Sequence, residues 1–473
     1  MNALLALSAL VLSILIAVFV PTYGASAVIV SAGAAVVAGL VISKTKIDKE
    51  FLLQLFVAGL LVRMVIGTVI FVLKMQEFFG GDAITYDELG YSLLRVWEGD
   101  VAHQATIDSF SAGGGWGMNY MVAAVYGLVG RNMLAVQFVN AVIGAATAPV
   151  IYLCAQHIFQ NAKVTRVVAY LVAFFPSLVL WSSQGLKDGP TVFLLALAML
   201  ATLKLDEKLT FKYLAALVLA LFGILSLRFY IFYMLLVAIG GAFVIGMRPI
   251  TGQGLVRQLA IVVCLGLALT YLGVLRGATT QFERYGSLEA LQRSRSDQAQ
   301  SARSGFGQDV DVSTTSGAIS AIPIGMTYLL FAPFPWQFQI TNIRQSMTLP
   351  EMVVWWLSFP LLMLGGWFTV RYRLRQALPI LIFTSMLTLS YAVYQGNVGT
   401  AYRQRAQLLV FYFIFVAVGY ALLKERSEER AKLAAREKEL SRTAGRRRAT
   451  VPIPREAEVA PVTRGGLSHG TDS

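Results

Sequence analysis

Long apolar runs dominate this chain and restrict what it can fold into. They are roughly 17–25 residues long and carry few charges, which suits α-helices that cross a hydrocarbon core of about 30 Å. Hydrophobic residues make up 56% of the 473 residues and charged residues only 14%. Soluble domains typically contain about 25% charged residues. We therefore predict an all-α polytopic membrane protein of about 12 transmembrane helices. The predicted spans are 3–20, 24–43, 51–73, 131–155, 165–182, 189–205, 211–227, 229–247, 257–275, 350–369, 377–395 and 405–423.

Basic residues cluster in the short loops on one side of these spans. Such loops lie in the cytoplasm by the positive-inside rule, so we expect both termini there and the membrane to be a bacterial plasma membrane. Two long segments, about 74–130 and 276–349, then lie outside. Each contains an apolar patch that predicts an interfacial helix, from Trp116 to Leu128 and from Ala318 to Pro333. The basic loop residues are Lys44, Lys46, Lys49, Lys163, Arg166, Lys204, Lys208, Lys212, Arg248, Arg257, Arg371, Arg373 and Arg375.

The composition also excludes several classes of function. The net charge of +13 is explained by cytoplasmic flanks, so it does not indicate nucleic-acid binding. The two cysteines lie inside apolar runs, which predicts that they are packing residues. Three histidines without ligand spacing argue against a histidine-built metal centre. We expect no certain cofactor, and the sequence leaves dependence on a divalent metal open.

The chain divides into four regions by sequence. Residues 1–50 form two additional N-terminal spans, and 51–250 form the core with the acidic outer loop 74–130. Residues 251–423 form a C-terminal membrane region containing the long outer loop 276–349, in which 286–317 reads as mobile. Residues 424–473 form a basic cytoplasmic tail, predicted as a polar helix to Leu440 and as disordered beyond Gly445.

Three polar stretches fall at outer ends of the predicted spans. The first is acidic and follows the third span, the second is the turn between the fifth and sixth spans, and the third precedes the last span. An arginine between the seventh and eighth spans adds a fourth point on the same face. Charged groups are scarce in this chain, so this convergence indicates a site. The candidate residues are Asp82, Tyr86, Asp87, Glu88, Lys187, Asp188, Arg228, Arg403 and Arg405.

The residue types at these positions allow more than one chemistry. A carboxylate at a membrane face can be a general base, a metal ligand or a solvated loop charge. Asp87 and Glu88 also suit the first turn of a helix, where acids are favourable. Arginines beside a glycine turn can hold a phosphate or anchor a span to lipid headgroups. Together, an acid and arginines suggest glycosyl transfer from a phosphate-linked donor.

The acidic stretch carries a pattern known from one group of membrane enzymes. Residues 82–88 (DAITYDE), with Gly99-Asp100 after a helical stretch, resemble the first outer loop of polyprenyl-phosphate-dependent membrane glycosyltransferases of the GT-C fold. These include protein O-mannosyltransferase-like and aminoarabinose-transferase-like families, whose loop reads Asp-x-x-x-Tyr. The resemblance covers roughly residues 51–250. Further stretches that resemble the family are 126–130, 136–140, 175–177 and 186–188.

This resemblance implies roles for the candidate residues. Asp82 would take the proton of an acceptor hydroxyl, Tyr86 would line the site, and Asp188 would orient Lys187 or the acceptor. The donor would be a sugar on a polyprenyl phosphate in the membrane, with inversion at the anomeric carbon. The acceptor would be a glycan, a lipid or a protein outside the cytoplasm. We expect the departing phosphate to be stabilised by Arg403 and Arg405, with Lys187 or Arg228 as further cations.

Two other readings stay open at this stage. A polysaccharide polymerase or ligase would use a polyprenyl-diphosphate glycan and the same outer arginines. A transporter of lipid-linked sugars would need polar residues along the middle of several spans. Arg63 is such a residue, since charge is costly in mid-span. It marks either a functional interior or a buried structural contact with a neighbouring span.

Overall fold

The computed structural model describes residues 3–111, 115–246, 252–272, 274, 281, 286–301, 304–337 and 343–449. These residues are almost all helical, and within these ranges β-pairing is limited to one isolated bridge, between Gly305 and Asn397. The chain divides into two units, residues 1–421 and 422–473. The prediction of an all-α membrane protein is confirmed.

The helices follow one another with short connections through most of the chain. The N-terminal half contains α1 Ala3–Phe19, α2 Gly24–Ser43, α3 Lys49–Val72, α4 Asp82–Trp97, α5 Gln104–Ser111, α6 Gly117–Val129, α7 Met133–Phe159, α8 Ala162–Phe174 and α9 Pro176–Ser182. The rest contains α10 Asp188–Glu207, α11 Phe211–Leu227, α12 Phe229–Ile245, α13 Gly252–Tyr271, α14 Leu288–Ser301, α15 Thr315–Phe331, α16 Ile343–Tyr372, α17 Leu374–Tyr394 and α18 Val398–Ala449.

Helices stand at all twelve predicted spans. Within the described ranges, seven helices are long and apolar enough to cross a membrane: α2, α3, α7, α10, α16, α17 and α18. The bent pair α8 and α9 makes an eighth if it counts as one span. Helices α1, α11 and α12 are shorter apolar helices, as is the apolar part of α13, Val256–Tyr271. The protein is therefore multi-pass, and the count of twelve stays a prediction.

Helix α7 lies at the centre of the core, between α3, α8 and α10. Small residues on α7, among them Ala141, Gly144 and Ala148, let neighbouring helices approach closely. A Cβ on Gly144 would lie 2.4 Å from the Cβ of Ser182, so this glycine is what lets α9 rest against α7. The close contact fixes the end of α9, and the polar turn before α10 starts there.

The predicted fifth span is broken. Its two halves, α8 and α9, meet at an angle of 50°. Pro176 begins α9, and the residue before it, Phe175, is extended at φ −64° and ψ 127°. Proline lacks the amide hydrogen that would continue α8, and it disfavours helical geometry in the preceding residue. The break redirects the chain just before the turn that leads to Asp188.

Helices α6 and α15, both short and apolar, occupy the two stretches predicted as interfacial helices, and their interfacial location stays a prediction. The prediction that residues 286–317 form a mobile loop is wrong, because α14 occupies much of this stretch. Arg295 on α14 donates hydrogen bonds of 2.7 Å to the carbonyls of Val393 and Gln395. The amide of Phe306 donates to the carbonyl of Gly396 at 2.8 Å. These bonds tie the segment to the turn before α18.

The helix predicted at 424–440 is confirmed as part of α18. Disorder was expected beyond Gly445, but α18 continues to Ala449. Residues 450–473 lie outside the described part of the chain.

Candidate active site

Asp82 is the first residue of α4 and follows a glycine turn. Gly80 and Gly81 have φ angles of 118° and 77°, a region that glycine enters without steric cost. The Asp82 carboxylate accepts a hydrogen bond of 2.6 Å from Nη1 of Arg403, through Oδ2. Its side chain is 45% exposed. Asp82 is therefore held by one ion pair while remaining open to solvent.

Asp188 is the first residue of α10, and it is almost completely buried. Its Oδ1 accepts from Nη2 of Arg228 at 2.8 Å, and its Oδ2 accepts from Nε of Arg403 at 2.8 Å. A buried carboxylate is stable only when it is paired and hydrogen-bonded. The two guanidinium groups supply that pairing on both oxygens.

Arg403 joins the two carboxylates. It lies near the start of α18, and its guanidinium bridges Asp82 and Asp188 while lying 5.5 Å from the ring of Trp181. The side chain is only 16% exposed. Residues that are 106 and 215 positions apart thus meet at one guanidinium, a link that the sequence predicted only as proximity on one membrane face.

Tyr86 and Lys187 complete the cluster. Burial and the negative charge of Asp82 raise the pKa of Tyr86 to about 12. Burial and the positive charge of Arg228 lower the pKa of Lys187 to about 8. Among the described residues, the Lys187 ammonium has no salt-bridge partner within 4.0 Å. It is thus a cation held near two arginines and free to bind an anion.

A chain of hydrogen bonds extends from Arg228. Its Nη1 donates to the hydroxyl of Tyr230 at 2.8 Å, and Nη2 binds Asp188. The Tyr230 hydroxyl lies 3.4 Å from that of Tyr391, which donates to Gln407 at 2.6 Å. These bonds hold Arg228 through Nη1 in addition to its contact with Asp188 through Nη2.

Three predicted site residues lie outside this cluster. Asp87 accepts from the hydroxyl of Tyr126 and from Arg131, whose Nη2 is 2.5 Å away. Glu88 is exposed. Arg405 is buried and donates to the carbonyl of Ala332 and to the sulfur of Met352. The side chains of these three residues form no hydrogen bond or ion pair with the cluster around Arg403, and their predicted contacts with substrate stay predictions.

The sequence did not single out Asn140 as a site residue, although it lies in a stretch that resembles the family. Its buried amide donates to the carbonyls of Gln184 and Leu186 at 2.6 and 2.7 Å. Both acceptors belong to the turn that carries Lys187 and Asp188. A polar side chain in the middle of an apolar span was the signal that could have found it.

Arg63 makes the buried contact with a neighbouring span that was one of its two readings. It donates to the hydroxyl of Ser182 and to the carbonyl of Ala173, both at 2.8 Å. A small cavity is lined by Arg63 together with Ser182 and Asp188. Arg63 thus holds α9 in place beneath the cluster.

No group of three or more His, Cys, Asp or Glu side chains suited to a metal ion occurs among the residues that the structure describes. The cluster instead presents two carboxylates beside three cations. Such an arrangement can accept a proton at an exposed carboxylate and bind a phosphate at the cations.

Residues 115–273 match the model of the dolichyl-phosphate-mannose-protein mannosyltransferase family. This match supports a GT-C glycosyltransferase. The family resemblance predicted from the motifs is thereby confirmed, although the matched residues make up roughly a third of the chain. No curated protein matches the sequence. The matched part contributes Lys187, Asp188 and Arg228 to the cluster, while Asp82 and Arg403 lie outside it on either side.

Proposed function

We propose that this membrane glycosyltransferase moves a sugar from a polyprenyl phosphate to a hydroxyl of a glycan, lipid or protein. The reaction would take place at the extracytoplasmic face of a bacterial plasma membrane. The observation that carries the proposal is the bridge from Arg403 to both Asp82 and Asp188. It brings an accessible acid and a group of phosphate-binding cations into one small volume.

Asp82 is better suited than Asp188 to act as the base. A base must reach the acceptor proton, and the Asp82 side chain is 45% exposed while that of Asp188 is 1% exposed. Among the described residues, Asp82 accepts a hydrogen bond only through Oδ2. Asp188 has both oxygens occupied by arginines. Its role would be to hold the arginines in position.

The cations are suited to the departing phosphate. Lys187 carries no ion pair with the described residues, and Arg403 can exchange Asp82 for a phosphate oxygen. Fixed positive charge at a leaving group is worth several kcal/mol of transition-state stabilisation in such sites. Arg228 would act at longer range, because its two terminal nitrogens are engaged by Tyr230 and Asp188.

The proposed step is a direct displacement. The acceptor oxygen attacks the anomeric carbon, the bond from that carbon to the phosphate oxygen breaks, and its electron pair leaves with the phosphate. The acceptor proton goes to Asp82. Attack opposite the leaving phosphate inverts the anomeric configuration. Movement of Arg403 from Asp82 to the phosphate would free the base as the donor binds.

Replacement of the base tests this proposal directly. Asp82→Asn should lower transfer by about 10²–10⁴, the usual contribution of a general base. Membranes from cells with the wild-type protein and with Asp82→Asn would be compared by mass spectrometry of their lipid-linked sugars. The proposal expects a polyprenyl-phosphate monosaccharide to accumulate in the variant.

The control is Glu77→Gln, since this acid lies in the segment just before α4 but is exposed and is not a predicted site residue. It should leave the lipid profile unchanged. Accumulation of a polyprenyl-diphosphate oligosaccharide would instead indicate a polymerase or ligase. An unchanged profile, with folded Asp82→Asn in the membrane, would refute the proposed donor.

A further inference from the structure

A second charged site lies at the other ends of the membrane helices. Helix α3 begins at Lys49 and ends shortly before Asp82, so the α2–α3 connection is at the end remote from the candidate active site. An open cleft of about 800 Å³ lies between this connection and the start of α8. Its lining is Ser43, Lys44, Thr45, Lys46, Asp48, Lys49, Glu50, Phe51, Gln54 and Arg166.

We propose that this cleft binds the headgroup of an anionic phospholipid. The proposal concerns a site separate from the active-site cluster and does not rest on the proposed reaction.

The cleft has an excess of unpaired positive charge. Its four cations face two acids, and one of these, Asp48, is neutralised within the protein. Oδ2 of Asp48 accepts from Nη2 of Arg166 at 3.1 Å and from the hydroxyl of Tyr152 at 2.9 Å. Within the described ranges, no salt-bridge partner lies within 4.0 Å of Lys44, Lys46 or Lys49. The three ammonium groups are therefore available to a phosphate.

The backbone adds donors at the same place. Lys49 is the first residue of α3, and no side chain caps this end of the helix. The first turn of a helix presents free amide hydrogens and a partial positive charge. These donors add to the attraction that the three lysines exert on an anion.

The surroundings of the cleft indicate a lipid as the source of that anion. The last turns of α2 lead up to it, and Leu40 and Val41 there are 59% and 62% exposed. Val36 and Val37, one turn earlier, are equally exposed at 62% and 63%. This apolar surface continues directly from Lys44 along a helix that can span the membrane. It provides a contact for acyl chains that a soluble anion would not use.

Aromatic groups close the side of the cleft. The Arg166 guanidinium lies 5.3 Å from the ring centre of Phe51, and Phe51 packs edge-on against Tyr170 at 5.4 Å. Aromatic rings beside basic residues are enriched at headgroup level. Basic pockets between membrane helices on the cytoplasmic side suit phosphate headgroups. The positive-inside rule explains the presence of the lysines, but it does not explain a cleft in which one of the two acids, Asp48, is already paired with Arg166.

The test is lipid binding to the purified full-length protein in detergent, measured by native mass spectrometry. Phosphatidylglycerol is titrated against phosphatidylcholine for the wild-type protein and for Lys46→Gln/Lys49→Gln. We expect saturable binding of one phosphatidylglycerol that is weakened on the order of tenfold or more by the double substitution.

The matched control is Lys208→Gln/Lys212→Gln, two exposed lysines, of which Lys208 lies in the connection between α10 and α11 and Lys212 lies in the first turn of α11. This variant should bind as the wild type does. Equal weakening by both pairs, or equal binding of both lipids, would overturn the site. Displacement of the lipid by inorganic phosphate at equal concentration would show that a free anion is the ligand, and it would overturn the lipid assignment. Thermal unfolding of each variant confirms that the fold is retained.

Discussion

Two arginines of one motif have different surroundings. Arg403 and Arg405 are two residues apart in a helix, so their side chains point about 200° apart. One bridges the carboxylates, and the other is buried against Ala332 and Met352. The sequence predicted both as phosphate ligands, because an arginine-rich turn does not reveal which face meets the site. The proximity of Asp82 and Asp188 was easier to predict, since both lie near one membrane face in a chain with few acids, and their roles in the reaction stay predictions.

We expect Lys187 to give the site a pH dependence. Its pKa is lowered to about 8, so the ammonium loses its charge as the pH rises through that value. If it binds the donor phosphate, the apparent donor affinity should fall above pH 8. Lys187→Arg should remove this fall, because arginine stays charged. The measurement is the donor KM from pH 7 to 9.5, which should rise above pH 8 in the wild type. A rise of equal size in Lys187→Arg would assign the pH dependence to another group.

Asn140 should act as a positioning residue for the turn 184–187. Asn140→Leu removes two buried hydrogen bonds, and displacement of reacting groups by about 1 Å can cost on the order of 10²-fold in rate. Gln137→Leu is the matched control, since Gln137 is fully buried in the same helix and neither of its amide atoms has a hydrogen-bond partner among the described residues. We expect kcat to fall only in Asn140→Leu.

The pH profile separates positioning from general destabilisation. If Asn140 holds Lys187 in place, the pH at which the donor KM begins to rise, near pH 8, should change in the folded Asn140→Leu variant. It should be unchanged in Gln137→Leu. Equal losses of activity and of thermal stability in both variants would refute the positioning role.

At the scale of elements, the sequence located the helices better than their breaks and contacts. Pro176 is visible in the sequence, but membrane helices tolerate proline. The bend of 50° between α8 and α9 could therefore not be predicted from this proline alone. Helix α14 was missed because its Ser-, Gln- and Arg-rich sequence lacks an apolar stripe. Helix α14 is held by the hydrogen bonds of Arg295 and by the nearby bridge between Gly305 and Asn397. These contacts join residues about 100 positions apart in the chain, so local helix propensity does not predict them.

The contact of α14 with the turn before α18 should support Arg403. Arg295→Met removes both hydrogen bonds to the carbonyls of Val393 and Gln395, which lie five and three residues before α18 begins at Val398. We expect a several-fold rise in donor KM with the protein still folded. Arg293→Met is the control, because Arg293 is exposed on the same helix. A KM equal to wild type in both variants would show that α14 does not influence the site.

At the scale of the whole molecule, the apolar runs predicted the class of fold correctly, because they reflect the bilayer alone. Which side faces the cytoplasm stays a prediction from the basic loops. It places Thr85, beside the cluster, outside the cell and Lys208 inside it. Both residues are exposed in the structure.

Cysteine labelling of intact cells tests this orientation. In a Cys264→Ser background, an impermeant maleimide should label Thr85→Cys, and it should label Lys208→Cys only after the membrane is permeabilised. The remaining cysteine, Cys154, is buried, so the protein without an added cysteine should not be labelled and serves as the negative control. The reverse pattern would place the cluster in the cytoplasm and contradict the proposed acceptors.

The net charge of the cluster around Arg403 also has a consequence for the donor. Asp82 and Asp188 oppose Arg403, Arg228 and Lys187, so the site without ligand carries one surplus positive charge near neutral pH. A sugar joined to a lipid through a single phosphate is a monoanion and would bring this sum to zero. A diphosphate-linked glycan would leave the site negative and would have to recruit a further cation. Electroneutrality is therefore a further argument for the proposed single-phosphate donor over a diphosphate donor.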